Sequence, residues 1–326
     1  MPDPQKPLTT VESRRRDNPL AGIAFKVSSV CTFLAMSALV KAAGEGIPAG
    51  QIVFFRAFFA IIPIMIVLLY RREFIEGLKT RQPIGHLWRG LVGAGGMMFG
   101  FYALTKLPLP EAVALSYATP LLIVVFGAIF LGETVRMYRW SAVIVGMIGV
   151  GIILWPRMTV FTGGGGAAGH DLAIGALAAL AGCVFAAFAM LLVRRLVHSE
   201  RSSTIVLYAS ITSTVIALMS LPFGWVPLTT TQTLMLVGAG IAGGVGQILM
   251  TEAFRNADVS VVAPFEYVSL ILSIAVGFLV FQDVPTTEML IGGAIVVAAG
   301  IFIILREHAL GIERRSAKEV SPPSPG

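Results

Sequence analysis

Charge is scarce in this sequence. Asp, Glu, Lys and Arg make up 13% of the 326 residues, about half of the ~25% usual in soluble proteins. Hydrophobic residues make up 56% and the mean hydropathy is +0.83, so the membrane is the solvent to reason with. Cysteine is sparse too: Cys31 and Cys183 both sit in apolar segments, which excludes a disulfide framework and a thiolate metal site. The histidines, His86, His170, His198 and His308, are scattered near segment ends without metal-ligand spacing, and no H-E-x-x-H, paired-aspartate or C-x-x-C pattern occurs. A hydrolytic or metal-dependent enzyme has little to stand on, and no cofactor or metal is expected. "GAGIAG", Gly238 to Gly243, fits G-x-G-x-x-G, but it lies in a membrane run without the strand that a dinucleotide site needs. Gly238, Ala242 and Gly246 instead line one helix face for close packing. "GGGG" at 163–166 lacks the Gly-Lys-Ser/Thr of a phosphate loop. The net charge of +6 comes from short basic patches between apolar runs, which fits membrane topology better than nucleic acid.

Long apolar runs are what the chain has in their place. Ten fall near residues 19–41, 50–70, 86–106, 110–132, 138–156, 171–194, 204–224, 232–254, 259–281 and 286–305, each close to the roughly 20 residues that span a bilayer. The first follows "ESRRRDNPL" without a convincing cleavage site, so it reads as a retained helix. Residues 1–18 and 307–326 read as polar, disordered cytoplasmic tails. The Gly-rich stretch 157–170 reads as a flexible linker at mid-chain. With both termini inside, 18 of the 24 Lys and Arg are cytoplasmic. Lys41, Lys106 and Arg157 fall outside, and Lys26, Arg56 and Arg89 lie within or at the edge of apolar runs (18 + 3 + 3 = 24). That asymmetry sets the expected orientation. Trp88, Trp140, Trp155 and Trp225 lie near segment ends, where indole rings favour the interface.

The halves resemble each other. Leu20, Cys31 and Phe33 match Leu172, Cys183 and Phe185 at an offset of 152, and Gly93, Gly96, Ala103, Tyr117, Gly127 and Glu133 match Gly243, Gly246, Ala253, Tyr267, Gly277 and Asp283 at 150. Five segments per copy is odd, so the second copy enters the membrane inverted. The expected fold is an all-α integral membrane protein of ten transmembrane helices, with a first five-helix repeat at 19–156 and a second at 171–306. Such inverted repeats place a solute site near the midplane.

Ionisable groups inside apolar runs cost roughly 2.5–3.5 kcal/mol near the bilayer centre and face the bundle interior or a wet cavity. Lys26, six residues past Leu20, and Glu266, seven past Val259, both lie about 9–10 Å in at the helical rise. Both segments enter from the cytoplasm, so the two charges share a depth and are expected to pair. Arg56 in "FFRAFF" and Glu111 in "LPLPEAVAL" share the external end as candidate partners, while Gln247 and Glu252 add polar groups to segment eight. Tyr117 and Tyr267 are candidates to stack on a planar solute. The bland alternative for all of these is helix packing or snorkelling to headgroups. Pro63, Pro120 and Pro264 each remove a helical hydrogen bond, so each is expected to bend or break its segment. Pro264 lies two residues before Glu266, so kink and charge mark one place.

On "FFRAFFA", "LPLPEAVALSYATPLLIVVFGAIFLGETV" and "APFEYVSLILSIAVGFLVFQDVPTTEMLIGGAIVVAAG", the chain resembles a ten-helix member of the EamA family of the drug/metabolite transporter superfamily, over about residues 20 to 306. Leu270 departs from the first-half Pro120, and Gln282–Asp283 replaces Gly132–Glu133. The resemblance implies an inner-membrane carrier of small organic metabolites working by alternating access. "TEAFRNADVSVVAPFEY" is most similar to branches that include riboflavin and S-adenosylmethionine uptake carriers, with riboflavin the first choice and metabolite export the alternative. The expected partners are a solute and the lipid bilayer; a homodimer is admitted, nucleic acid is not. A membrane-embedded enzyme or a non-transporting subunit would need the polar loops or docking domain that the short links and tails do not offer.

Overall fold

The computed structural model describes residues 18–320 apart from 45, 134, 159–166, 198 and 258. Residues 1–17 of the expected tail and 159–166 of the expected linker lie outside that set. Regular structure among the described residues is helical: α1 Pro19–Ala43, α2 Ala49–Tyr70, α3 Phe74–Leu78, α4 Pro83–Lys106, α5 Leu109–Ser116, α6 Ala118–Leu131, α7 Met137–Met158, α8 Ala167–Leu196, α9 Ser202–Leu218, α10 Thr230–Asn256, α11 Val259–Val262, α12 Val268–Phe281 and α13 Thr287–Val320. Helix is the form that lets a long apolar run satisfy its own backbone in lipid. Eight stretches are long and apolar enough to span a bilayer, and α9 is apolar but 17 residues long. The 24-residue α4 is not among the eight; His86, Arg89 and Lys106 dilute its apolar run. α8 begins at Ala167 and α13 runs to Val320, so helix passes the boundaries expected at 171 and 306.

Helix ends are brought together by a few contacts. The Asn18 N–H donates to the Asn256 carbonyl, which sets the start of α1 beside the end of α10. Lys41 Nζ donates to the Leu107 carbonyl at 2.7 Å, which sets the end of α1 beside the end of α4. These are called the near and far ends below. Between them α1 packs on α10, α4 on α8, α2 on α9 and α10, and α7 on α13. Small residues permit this closeness. A Cβ on Gly240 would lie 2.6 Å from the Phe55 carbonyl oxygen, and one on Gly149 would lie 2.8 Å from that of Gly292. The Gly238–Gly246 stripe faces α1, where Ser29 donates to the Gly246 carbonyl at 2.8 Å.

Two segments are interrupted at matched positions, and the interruptions centre on tyrosine. Tyr117 (φ −69°, ψ −6°) separates α5 from α6, and Tyr267 (φ −70°, ψ −11°) ends a 3-10 stretch, Ala263–Tyr267, before α12. Pro120 lies three residues after the first break and Pro264 three before the second, so different prolines flank equivalent breaks. Pro63 behaves otherwise: α2 runs through it uninterrupted. The expected departure at Gln282 leaves the cap unchanged. Gly132 (φ 64°) and Gln282 (φ 58°) both adopt the left-handed conformation, and the next residue donates back to Gly127 or Gly277 in each half.

At the near end Glu200 reaches across to the start of α4. It accepts from the Thr80 hydroxyl at 2.9 Å and from the Arg81 and Gln82 N–H groups at 2.6 and 2.9 Å. Burial acts to raise its pKa, but these hydrogen bonds outweigh it and hold the carboxyl below its ordinary range. A negative charge at a helix start is also favoured by the helix dipole. Glu200→Ala leaves two backbone donors without this partner. It is expected to cost about 2 kcal/mol, read as a lower midpoint of heat-induced aggregation in detergent, with Glu200→Gln intermediate.

Candidate functional site

A cavity of about 870 Å³ lies between α1, α2, α4, α5, α6, α8, α9 and α10, within the size range of small-molecule sites. It reaches from Val197, Ser202 and Arg255 near one end to Ser37, Leu104 and Val113 toward the other. Its walls are mostly apolar, and Gly93, Gly96, Gly182 and Gly243 keep the helices thin where they face it. Of the residues singled out from sequence, Arg56 and Gln247 line it. Ser116, the repeat mate of Glu266, lines it as well. Glu252 stays at the near-end rim, bound to Arg71 and Arg255.

Lys26 and Glu266 form an ion pair. The lysine side chain is 4% exposed and the carboxylate side chain 48%, so the cost of burial falls on the lysine. Lys26 Nζ also stands 5.7 Å from the centre of the Phe254 ring, and Phe254 lines the cavity. The pair is thus one side chain removed from the cavity. Tyr117 and Tyr267 meet edge to face, their ring centres 5.1 Å apart, and the Tyr117 hydroxyl is 2.5 Å from that of Ser269. Both rings sit where the two helix breaks touch, and neither lines the large cavity. Tyr267 and Pro264 instead border a separate space of about 330 Å³. Glu111 is bound by Arg157 through two hydrogen bonds of 2.9 and 2.6 Å, and not by Arg56. Arg157 ends α7, which packs on α5, whereas Arg56 turns toward Gly243 of α10.

The model of the EamA-like transporter family matches twice, over residues 20–155 and 173–306. This chain belongs to that family. It is therefore a multi-pass membrane transporter, and the family indicates no catalytic activity. The chain is 30% identical over 286 residues to the pseudopaline exporter CntI of Pseudomonas aeruginosa, covering 86% of this chain and 95% of that one. It is 27% identical over 288 residues to an S-adenosylmethionine uptake transporter of Rickettsia bellii, covering 88% and 94%. It is 28% identical over 292 residues to a riboflavin transporter of Vibrio cholerae, again covering 88% and 94%. A solved crystal structure, 22% identical, superposes with a TM-score of 0.62 over 89% of this chain and 97% of that one, a likeness of fold.

Sequence reasoning passed over one feature of this EamA-like transporter. Asp283 and Glu133 occupy matched caps, and each binds a cation from the end of a matched helix. Lys41 of α1 lies 3.5 Å from Asp283 at the far end, and Arg194 of α8 lies 2.8 Å from Glu133 at the other. The first pair is enclosed, at 16% exposure on each side chain; the second is open, at 42% and 38%. Asp283 also accepts from the Leu109 N–H at 2.9 Å, so it clasps the turn between α4 and α5. The signal was present in the sequence: Glu133/Asp283 match at offset 150, and Lys41 lies 153 residues before Arg194.

Proposed function

We propose that the protein is a secondary carrier of a small organic metabolite in a bacterial inner membrane, with both termini cytoplasmic and the near end facing the cytoplasm. The reading takes ten spanning segments, counting α4, α9 and the interrupted segments, as two inverted five-helix repeats. The packing supports it, since exchanging the halves turns α1–α10 into α4–α8 and α2–α10 into α4–α9. The observation that carries the mechanism is the inequality of the two matched ion pairs. Equivalent gates, one enclosed and one open, are what a carrier closed at the far end and open at the near end has. The opposite state encloses Glu133–Arg194 and opens Lys41–Asp283. Glu266 and Lys26 are assigned to the transport pathway. Glu266, the ion-paired acid beside the second helix break, is the first candidate for proton coupling; facilitated diffusion is the alternative.

The relatives divide between uptake and export, so direction and solute are read by experiment. Purified protein in liposomes, tested with labelled riboflavin, S-adenosylmethionine and amino acids with and without a pH gradient, is expected to give saturable flux of at least one solute, at least tenfold above empty vesicles. Flux of none in either direction favours a non-transporting subunit. Flux that Glu266→Gln leaves unchanged in rate and pH dependence removes Glu266 from the cycle.

A further inference from the structure

Most of the buried cations in this bundle have an acid. Lys26 has Glu266, Lys41 has Asp283 and Arg157 has Glu111. Of the three arginines that line the cavity, Arg255 pairs with Glu252, while Arg56 and Arg89 have no carboxylate within ion-pair distance among the described residues. The nearby acids are engaged elsewhere: Glu252 with Arg71 and Arg255, Glu266 with Lys26, Glu200 with the start of α4. Arg89 Nε is buried without a hydrogen-bond partner. Arg56 of α2 and Arg89 of α4 line the same cavity, so two like charges face one space. Uncompensated guanidinium groups away from water are costly, and two of like sign facing one cavity are costlier.

The repeat supplies the room for both. A Cβ on Gly93 would run into the Arg89 guanidinium, and one on Gly243 would lie 3.3 Å from Arg56 Nε. Gly93 and Gly243 are repeat mates, so matched glycines in α4 and α10 each leave space for an arginine on the cavity wall. Guanidinium groups bind carboxylate or phosphate oxygens through paired N–H donors.

We infer that Arg56 and Arg89 form an anion subsite, and that the carried solute bears a carboxylate or phosphate which these two residues hold. This rests on the carrier reading above and narrows it. It moves riboflavin, which is uncharged near neutral pH, behind solutes with an acidic group.

The test reads the charge preference of the cavity directly. Ser116 lines the cavity and is exposed, and the free Cys183 lines it too, so Ser116→Cys in a Cys31→Ser/Cys183→Ser background is the reporter. It is labelled in detergent with an anionic (sulfonatoethyl) or a cationic (trimethylammonioethyl) methanethiosulfonate. Clefts lined by one sign of charge concentrate the opposite ion about tenfold or more. Relative to a small free thiol, the anionic reagent is expected to be favoured about tenfold. Arg56→Gln or Arg89→Gln should each cut that preference severalfold, and the lysine variants should keep most of it. At constant ionic strength, citrate or inorganic phosphate should slow labelling more than chloride does, and the stronger of the two identifies the acid group. A preference equal to that of the free thiol, or no slowing by either oxyanion beyond chloride, overturns the inference. Anion preference without flux in the liposome assay sinks the carrier reading alone, and flux of a neutral solute without anion preference sinks this inference alone.

Discussion

Glu266→Ala is expected to abolish transport and to destabilise the fold by about 3 kcal/mol. The cost follows from burial. Removing one partner of a buried pair leaves the other charge uncompensated, at about 3–5 kcal/mol. Here the lysine side chain is 4% exposed, so Lys26 is stranded when Glu266 goes. The double variant Lys26→Met/Glu266→Gln removes both charges and should recover stability to within about 1 kcal/mol of the parent. Detergent melting midpoints check these values, and flux in liposomes separates scaffold from pathway. A double variant that melts like the parent and carries no solute assigns the charge to the transport cycle. One that also transports at the parental rate reduces the pair to a helix tie.

What could be read in advance follows from geometry. The 1.5 Å rise of a helix converts sequence position into depth, so the sequence alone puts Lys26 and Glu266 at one level, and they pair. Depth says nothing of azimuth. Arg56 and Glu111 share an end, yet Arg157 takes Glu111 because α7 packs on α5 while Arg56 faces α10. Depth likewise does not give the meeting of Tyr117 and Tyr267, which turn toward each other at the helix breaks. Prolines misled about where those breaks fall. Pro63 sits in a continuous α2, since neighbouring helices can re-satisfy a lost hydrogen bond in a membrane bundle. Arg89 was visible only as a charge near a segment edge; its lack of an acid depends on where every carboxylate finally goes.

Asp283→Ala and Glu133→Ala should push the protein in opposite directions. Asp283 holds Lys41 and the Leu109 N–H at an enclosed site, so its loss weakens the far-end closure by about 3 kcal/mol, roughly a hundredfold shift in population at 1.4 kcal/mol per decade. Glu133–Arg194 is an open pair, and open pairs contribute about 0–1 kcal/mol to the state they are seen in. If that pair is enclosed in the opposite state, Glu133→Ala destabilises the opposite state instead and holds the carrier as it stands. Ser37 lines the far part of the cavity, so Ser37→Cys in a Cys31→Ser/Cys183→Ser background reports access there. An impermeant thiol reagent applied from the far side of oriented vesicles should label the parent slowly. Asp283→Ala should raise that rate at least tenfold, and Glu133→Ala should leave it unchanged or lower it. A rigid scaffold predicts something else: the enclosed pair matters for stability, the exposed pair does not, and neither changes which side the cavity opens to. Equal shifts from both variants, or none from either, would therefore dissolve the link between the matched caps and alternating access. Opposite shifts would mean that one repeated cap, Gly127–Glu133 in one half and Gly277–Asp283 in the other, serves as the gate at each end.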